Sequence, residues 1–446
     1  MPAVTPRGPS ARPARGVAAG FVAALLVICG HVAAHAADPM DAIAEQYVKL
    51  VLALGELDPG YVDAYYGPPG WKEEVAAAGH SLEDIDRQAS GLLAKLDDSA
   101  PAAAPDDPVS LRHAYLKRQL EALRARVAML GGTHLSFDEE SRALYDAVAP
   151  RHTEAEFADI LAELEGRLPG EGPLVERLDA FRQKFVIPRE RLDDVFRAAI
   201  DGCRRRTLEH IELPDGEAFT VEYVTGRSWS AYNWYQGNFR SLIQVNTDLP
   251  IHVERAIDLA CHEGYPGHHV YNVLLEKHLV RDRGWMEFTV YPLYSPQSLI
   301  AEGTANFGIE MAFPREEWLK FAREVLLPAA GLKGDGIEAY YEVLELVDRL
   351  AYAGNEAARR YLDGKIDARA AAGWLERYLL YPRPRAEQRV RFFDQYRSYV
   401  INYNLGKDMV KRHVEARAGA GASAGERWKE FASLLSSPRL PSGLAR

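Results

Sequence analysis

From residue 38 onward, apolar side chains return every three or four positions over long stretches, separated by short polar breaks. Between Asp38 and Leu57, the residues Ile43, Tyr47, Leu50, Val51 and Leu54 share one helical face, and Asp58-Pro59-Gly60 supplies the turn chemistry that ends the helix. The same period predicts helices over about 81–98, 107–130, 136–149, 153–167, 173–186 and 188–213, and again from 251 to about 437. Tyr65 to Gly70 reads as a loop, and the Ala/Pro/Asp-rich stretch 99–108 as a short helix connection. Only Ala218–Val224 and Ser241–Asn246 alternate with the period of a strand. The expected fold is therefore mostly α, a helical body with one small β-ribbon inserted just before the helical stretch that begins at 251. Residues 37–187 are expected to be an N-terminal helical region and 188–446 the region carrying the chemistry, the two forming one continuous body.

The first segment follows a different pattern. Arg7, Arg12 and Arg15 precede an apolar run from Gly16 to about Gly30, and Ala34-His35-Ala36 places small residues where a signal peptidase cuts. Residues 1–36 are thus expected to be a signal peptide, giving a periplasmic or secreted protein with no membrane anchor after cleavage. The 53 basic and 64 acidic residues give a net charge of −11, and the cut removes three arginines and no acid, leaving −14. Such an acidic chain is a poor nucleic-acid partner. Three cysteines exclude a disulfide framework. Export permits a bond between Cys203 and Cys261, yet small buried cysteines are common in helices, and these two are expected to stay unpaired.

The densest chemistry is Cys261-His262-Glu263-Gly264-Tyr265-Pro266-Gly267-His268-His269. A hydrolytic zinc site needs about three His or carboxylate ligands, an open position for water, and a carboxylate beside that water as base. The usual His-Glu-x-x-His spacing puts both histidines on one helical face. Here the position four after His262 is Pro266. On an unbroken helix His268 would point about 120° away from His262, and His269 would lie roughly 10 Å along the axis. Pro266 disfavours helix in the residue before it, and Gly264 and Gly267 permit unusual backbone angles, so the segment carries the break needed to return a later histidine to His262.

His-Glu-x-x-Pro-Gly-His-His resembles the signature of the bacterial domain-of-unknown-function 885 family, itself similar in layout to helical zinc carboxypeptidases of the carboxypeptidase Taq type. Gln244 to Pro250, Ile300-Ala301-Glu302-Gly303, and Tyr399 to Gly406 resemble the family's flanking segments, and the likeness spans roughly residues 190–420. The chain departs from the family at Thr304, where a large aromatic is usual. The resemblance implies a helical metallopeptidase-like body around a cleft, with the β-ribbon before the active-site helix, and one zinc ion held by His262, His268 and Glu302, with Glu263 as general base. His269 is the alternative second ligand, or else a contact outside the metal shell. Glu310 is a further acid that would orient a ligand histidine. Tyr403 and Arg397 are candidates for stabilising the oxyanion, and Tyr399, at helical spacing from Tyr403, shares its face.

The expected function is an exported zinc-dependent metallopeptidase acting on a peptide substrate, a carboxypeptidase or short-peptide hydrolase. The 241–246 strand is expected to offer a free edge to the peptide. The alternative is a non-catalytic metal- or peptide-binding protein of the cell envelope, and hydrolysis of a non-peptide amide or ester would use the same metal chemistry.

Overall fold

A computed structural model describes residues 39–104, 106–227 and 229–444; the expected signal peptide lies outside them. Helices form where the sequence supplies both an apolar stripe and a cap. Ser81, Ser136, Thr153 and Ser423 each accept the backbone N–H three residues on, while the acid at that position returns the bond, closing four capping boxes. Most of the periodic segments are found as predicted, including Pro39–Leu57, Leu82–Asp98, Pro108–Leu130 and Glu154–Arg167. Pro69–Ala78, which begins inside the stretch read as a loop, is also a helix, with proline at its first turn where the missing N–H costs nothing. The protein is mostly helical, as expected. Among the described residues no helix is long and apolar enough to cross a membrane.

The centre of the body is the helix Pro296–Ala312, apolar nearly all round and buried over most of its length. The helix Ile401–Ala418 crosses it at Gly303 and Gly406. A Cβ on Gly303 would meet the Gly406 carbonyl at 2.5 Å, so the two backbones touch only because both positions lack side chains. Next to Gly303, Glu302 meets Tyr399, in the turn Arg397–Val400 that leads into the crossing helix.

The β-structure is larger than the sequence suggests. Strands β2 (Ala218–Val224), β3 (Ala231–Gly237) and β4 (Arg240–Asn246) form a mixed three-stranded sheet in the order β2-β4-β3, with β2 parallel and β3 antiparallel to β4. The 241–246 strand is therefore central, and the expectation that it presents a free edge is corrected: both its edges are taken. β3 carries the polar Asn233 and Gln236, which weaken its strand signal. Asn233 earns its buried place by donating from Nδ2 to the Glu263 carbonyl oxygen at 2.7 Å. A second, two-stranded pairing joins β1 (Val62–Tyr65) to β5 (Val290–Pro292), which leads into the central helix.

Cys203 and Cys261 form a disulfide, against expectation. Both are fully buried where Leu192–Leu208 packs on the segment bearing His262, a proximity of positions 58 apart in sequence that periodicity does not reveal.

Candidate metal centre

The helix Val253–Leu259 widens into a π-helical turn at Ala260–Gly264, closed by Tyr265 N–H on the Ala260 carbonyl at 3.2 Å. The chain then turns through the cis Tyr265-Pro266 bond and Gly267, and a new helix begins at His268. A Cβ on Gly267 would lie 1.8 Å from the His262 carbonyl oxygen. Glycine is needed here for close approach, with φ −76 and ψ −135 at that residue, and not for a left-handed conformation. The break returns His268 to His262: their Nε2 atoms are 3.2 Å apart and their rings nearly perpendicular.

His269 is turned elsewhere. It is fully buried, with Nδ1 2.9 Å from Ser241 Oγ and Nε2 3.0 Å from Glu217 Oε2. The same carboxylate accepts from Tyr265 Oη at 2.7 Å and pairs with Arg204 at 2.6 Å. Burial alone would raise the Glu217 pKa, but the bonds from His269, Arg204 and Tyr265 outweigh it and hold it down at about 2. Glu217 thus clasps the residues on both sides of the break, and its role was hidden in sequence because it lies about 50 positions upstream.

Glu302 comes from the central helix. Its Oε2 lies 3.3 Å from His262 Nε2 and 3.8 Å from His268 Nε2, while Oε1 accepts from Tyr399 Oη at 2.8 Å. Two imidazole nitrogens and a carboxylate oxygen therefore converge. Tetrahedral zinc with bonds of about 2.0–2.1 Å holds its ligands about 3.3–3.4 Å apart; the 3.2 and 3.3 Å separations match this, and the His268–Glu302 separation of 3.8 Å is wider. Glu302 Oε2 is buried and has no hydrogen-bond partner, a costly arrangement that a cation would relieve. By donor chemistry and spacing, the residues fit a divalent ion. The carboxylate of Glu263 stands beside them, within 4.8 Å of the ligand atoms of His262 and His268.

The electrostatics divide the group into distinct roles. Burial, reinforced by the charges of Glu302 and Asp63 and opposed by His262, pushes Glu263 up to about 7. Burial, then the neighbouring His262, lowers His268 to about 4, so its lone pair is free at neutral pH. For His262 burial is the largest influence and acts downward, but Glu302 and Glu263 together raise it. Glu302 is lowered because the two histidines and Tyr399 outweigh its burial.

The remaining candidates separate. Tyr403 is half-buried beside Tyr399, and burial, then the charges of Glu302 and others, raises its phenol well above the usual value. Arg397 makes no hydrogen bond or ion pair with the cluster among the described residues. Its Nε bonds Glu140 at 2.7 Å, and its φ of 51° marks a strained turn. Glu310 does not orient a histidine: Lys407 and Lys411 hold it at 2.9 and 2.8 Å. Tyr399, named in sequence only as sharing a face with Tyr403, is the tyrosine that meets Glu302.

No protein-family model and no curated protein matches the chain, so the resemblance to domain family 885 rests on the segments quoted above. Among solved structures it is similar to a protein assigned as a lipoprotein from Colwellia psychrerythraea, at 13% identity over 82% of this chain and 69% of that one, with a TM-score of 0.49. It is also similar to the M32 carboxypeptidase from Deinococcus radiodurans R1, at 13% identity over 88% of this chain and 89% of that one, with a TM-score of 0.43. Likenesses this distant say nothing about chemistry.

Proposed function

We propose that the protein is an exported zinc-dependent peptide hydrolase in which His262, His268 and Glu302 hold the ion and Glu263 is the general base. The reading is carried by one observation: two imidazole nitrogens and a buried, unpartnered carboxylate oxygen converge at 3.2–3.8 Å with a second carboxylate beside them. When bound, a divalent ion supplies Lewis-acid activation of water and of the substrate carbonyl. Glu263, pushed up to about 7, accepts a proton from the attacking water and returns it to the leaving amine nitrogen. Tyr399 fixes one oxygen of Glu302 so that the other stays aimed at the histidines. Tyr403, protonated across the neutral range, is the nearby candidate to donate to the oxyanion. Arg397, committed to Glu140, is not part of this reading. The substrate class within it is a short peptide or the end of a longer one.

Glu263→Gln is the direct test. It keeps the shape and removes the base, and should retain fold and zinc while losing about 10²–10⁴-fold in peptide hydrolysis. Saturable peptide binding with no turnover in either protein would instead describe a binding protein, and unchanged hydrolysis in Glu263→Gln would refute the mechanism.

A further inference from the structure

Asp63 is a carboxylate that the chemistry above does not use. The β1–β5 ladder slips between Val62 and Ala64, leaving Asp63 in a β-bulge, a feature that re-aims a side chain out of a sheet. Its Oδ1 accepts from Tyr232 Oη at 2.9 Å, on β3, and the same hydroxyl lies 3.3 Å from its main-chain oxygen. The next residue on β3, Asn233, is tied to the Glu263 carbonyl, so the strand that holds Asp63 is pinned to the segment bearing the base.

Asp63 is half-buried and, unlike five other acids of this protein, has no cation beside it. Arginines meet Glu217, Glu254, Glu276, Glu287 and Asp58. Among the described residues no Lys, Arg or His pairs with Asp63. Burial raises it to about 7, Tyr232 opposing and Glu302 adding to the effect. The geometric link to the candidate metal centre runs along β3, where Tyr232 holds Asp63 and Asn233 holds the Glu263 main chain. Tyr232, which meets it, is half-buried, and the half-buried Trp229 ring lies 5.8 Å from that of Tyr232. A carboxylate without a cation, beside a pair of aromatic rings, offers an ammonium group both a charge-assisted hydrogen bond and cation–π attraction.

We propose that Asp63, steadied by Tyr232, is a substrate subsite for a primary ammonium group, so that the enzyme prefers peptides bearing a free amino group close to the bond it cuts. A positive charge placed there supplies a counter-ion that the fold omits, and the β3 residues Tyr232 and Asn233 tie that position to the segment bearing the base. The two sources of that chemistry are the peptide's own amino terminus and a lysine side chain. The proposal rests on the peptide-hydrolase reading and narrows its substrate.

The test compares three matched short peptides on the zinc-loaded enzyme: one with a free amino terminus and no lysine, its N-acetylated form, and an N-acetylated form carrying lysine. The free peptide should exceed its acetylated form in kcat/KM by about ten-fold or more, and Asp63→Asn should collapse that ratio towards one. Rescue by lysine in the third peptide assigns the subsite to a side chain and not to the terminus. Equal rates for all three peptides, or a preference that survives Asp63→Asn, overturn the proposal. If no peptide is cut, the hydrolase reading fails separately. Calorimetric binding of the same peptides to the Glu263→Gln protein then still decides the subsite, since equal affinities for the free and acetylated forms would overturn it.

Discussion

Glu140 is far from the converging ligands in sequence and touches none of them, yet its removal should weaken metal binding. The carboxylate is 1% exposed and accepts three bonds, from Arg397 Nε at 2.7 Å, Ser398 N–H at 3.1 Å and Ser398 Oγ at 2.7 Å. These bonds hold Arg397 at φ 51° and ψ −125°, a conformation that costs a non-glycine residue about 1–3 kcal/mol. Two residues on is Tyr399, whose hydroxyl fixes Glu302. Glu140→Ala leaves two Ser398 donors buried with no acceptor, and the loss should reach about 3–5 kcal/mol. Glu140→Gln keeps one acceptor but faces Arg397 with an amide, and should cost about 1–2 kcal/mol while letting the turn relax. Released from the turn, Tyr399 no longer orients Glu302, and zinc affinity should fall by about 10–100-fold. Denaturant unfolding gives the first quantity and competition with a chromophoric chelator the second. Tyr399→Phe isolates the final link, with a similar loss of affinity and a stability change of only about 1 kcal/mol. Unaltered zinc affinity in both Glu140→Gln and Tyr399→Phe would refute the chain of contacts as a positioning device.

Other expectations follow from the same geometry. Gly267→Ala forces a Cβ to within 1.8 Å of the His262 carbonyl and should cost at least about 3 kcal/mol or displace His262, read as a lower melting temperature together with lost zinc; a variant with normal melting and normal zinc would contradict the close approach. Glu217 is held at about 2 against 4.5 for the free side chain, so its ion pairs stabilise by about 3 kcal/mol above about pH 4.5, a contribution lost as pH falls towards 2. The gap in urea midpoint between the wild-type protein and Glu217→Gln should therefore narrow from pH 5 to pH 3, and a constant gap would show that Glu217 is not the titrating group. Cys203→Ser opens a loop of 58 residues and should cost about 4 kcal/mol on the chain-entropy account, checked by calorimetry with and without reductant; no change would show that the bond does not form.

The helices were legible because apolar period and capping boxes are local signals, and Ser81, Ser136, Thr153 and Ser423 announce their helices within four residues. The break between His262 and His268 was legible for the same reason, since Pro266 and Gly267 lie inside the segment they bend. What escaped depends on pairings across long stretches of chain. Glu217 reaches His269, Asn233 reaches Glu263, Cys203 reaches Cys261, and Glu140 reaches Ser398 over 258 positions. β3 escaped because Asn233, a polar residue on its buried face, serves the neighbouring helix and interrupts the strand pattern. Asp63 escaped because a bulge shows only when the partner strand is known.

The central claim is that His262, His268 and Glu302 hold a metal ion, and metal content per chain tests it most directly. Inductively coupled plasma mass spectrometry on protein purified without added metal or chelator should find close to one zinc, lost in His262→Ala and in Glu302→Ala and kept in His269→Ala. Absence of metal in the wild-type protein, with none taken up on titration with zinc, manganese or cobalt, would contradict the account.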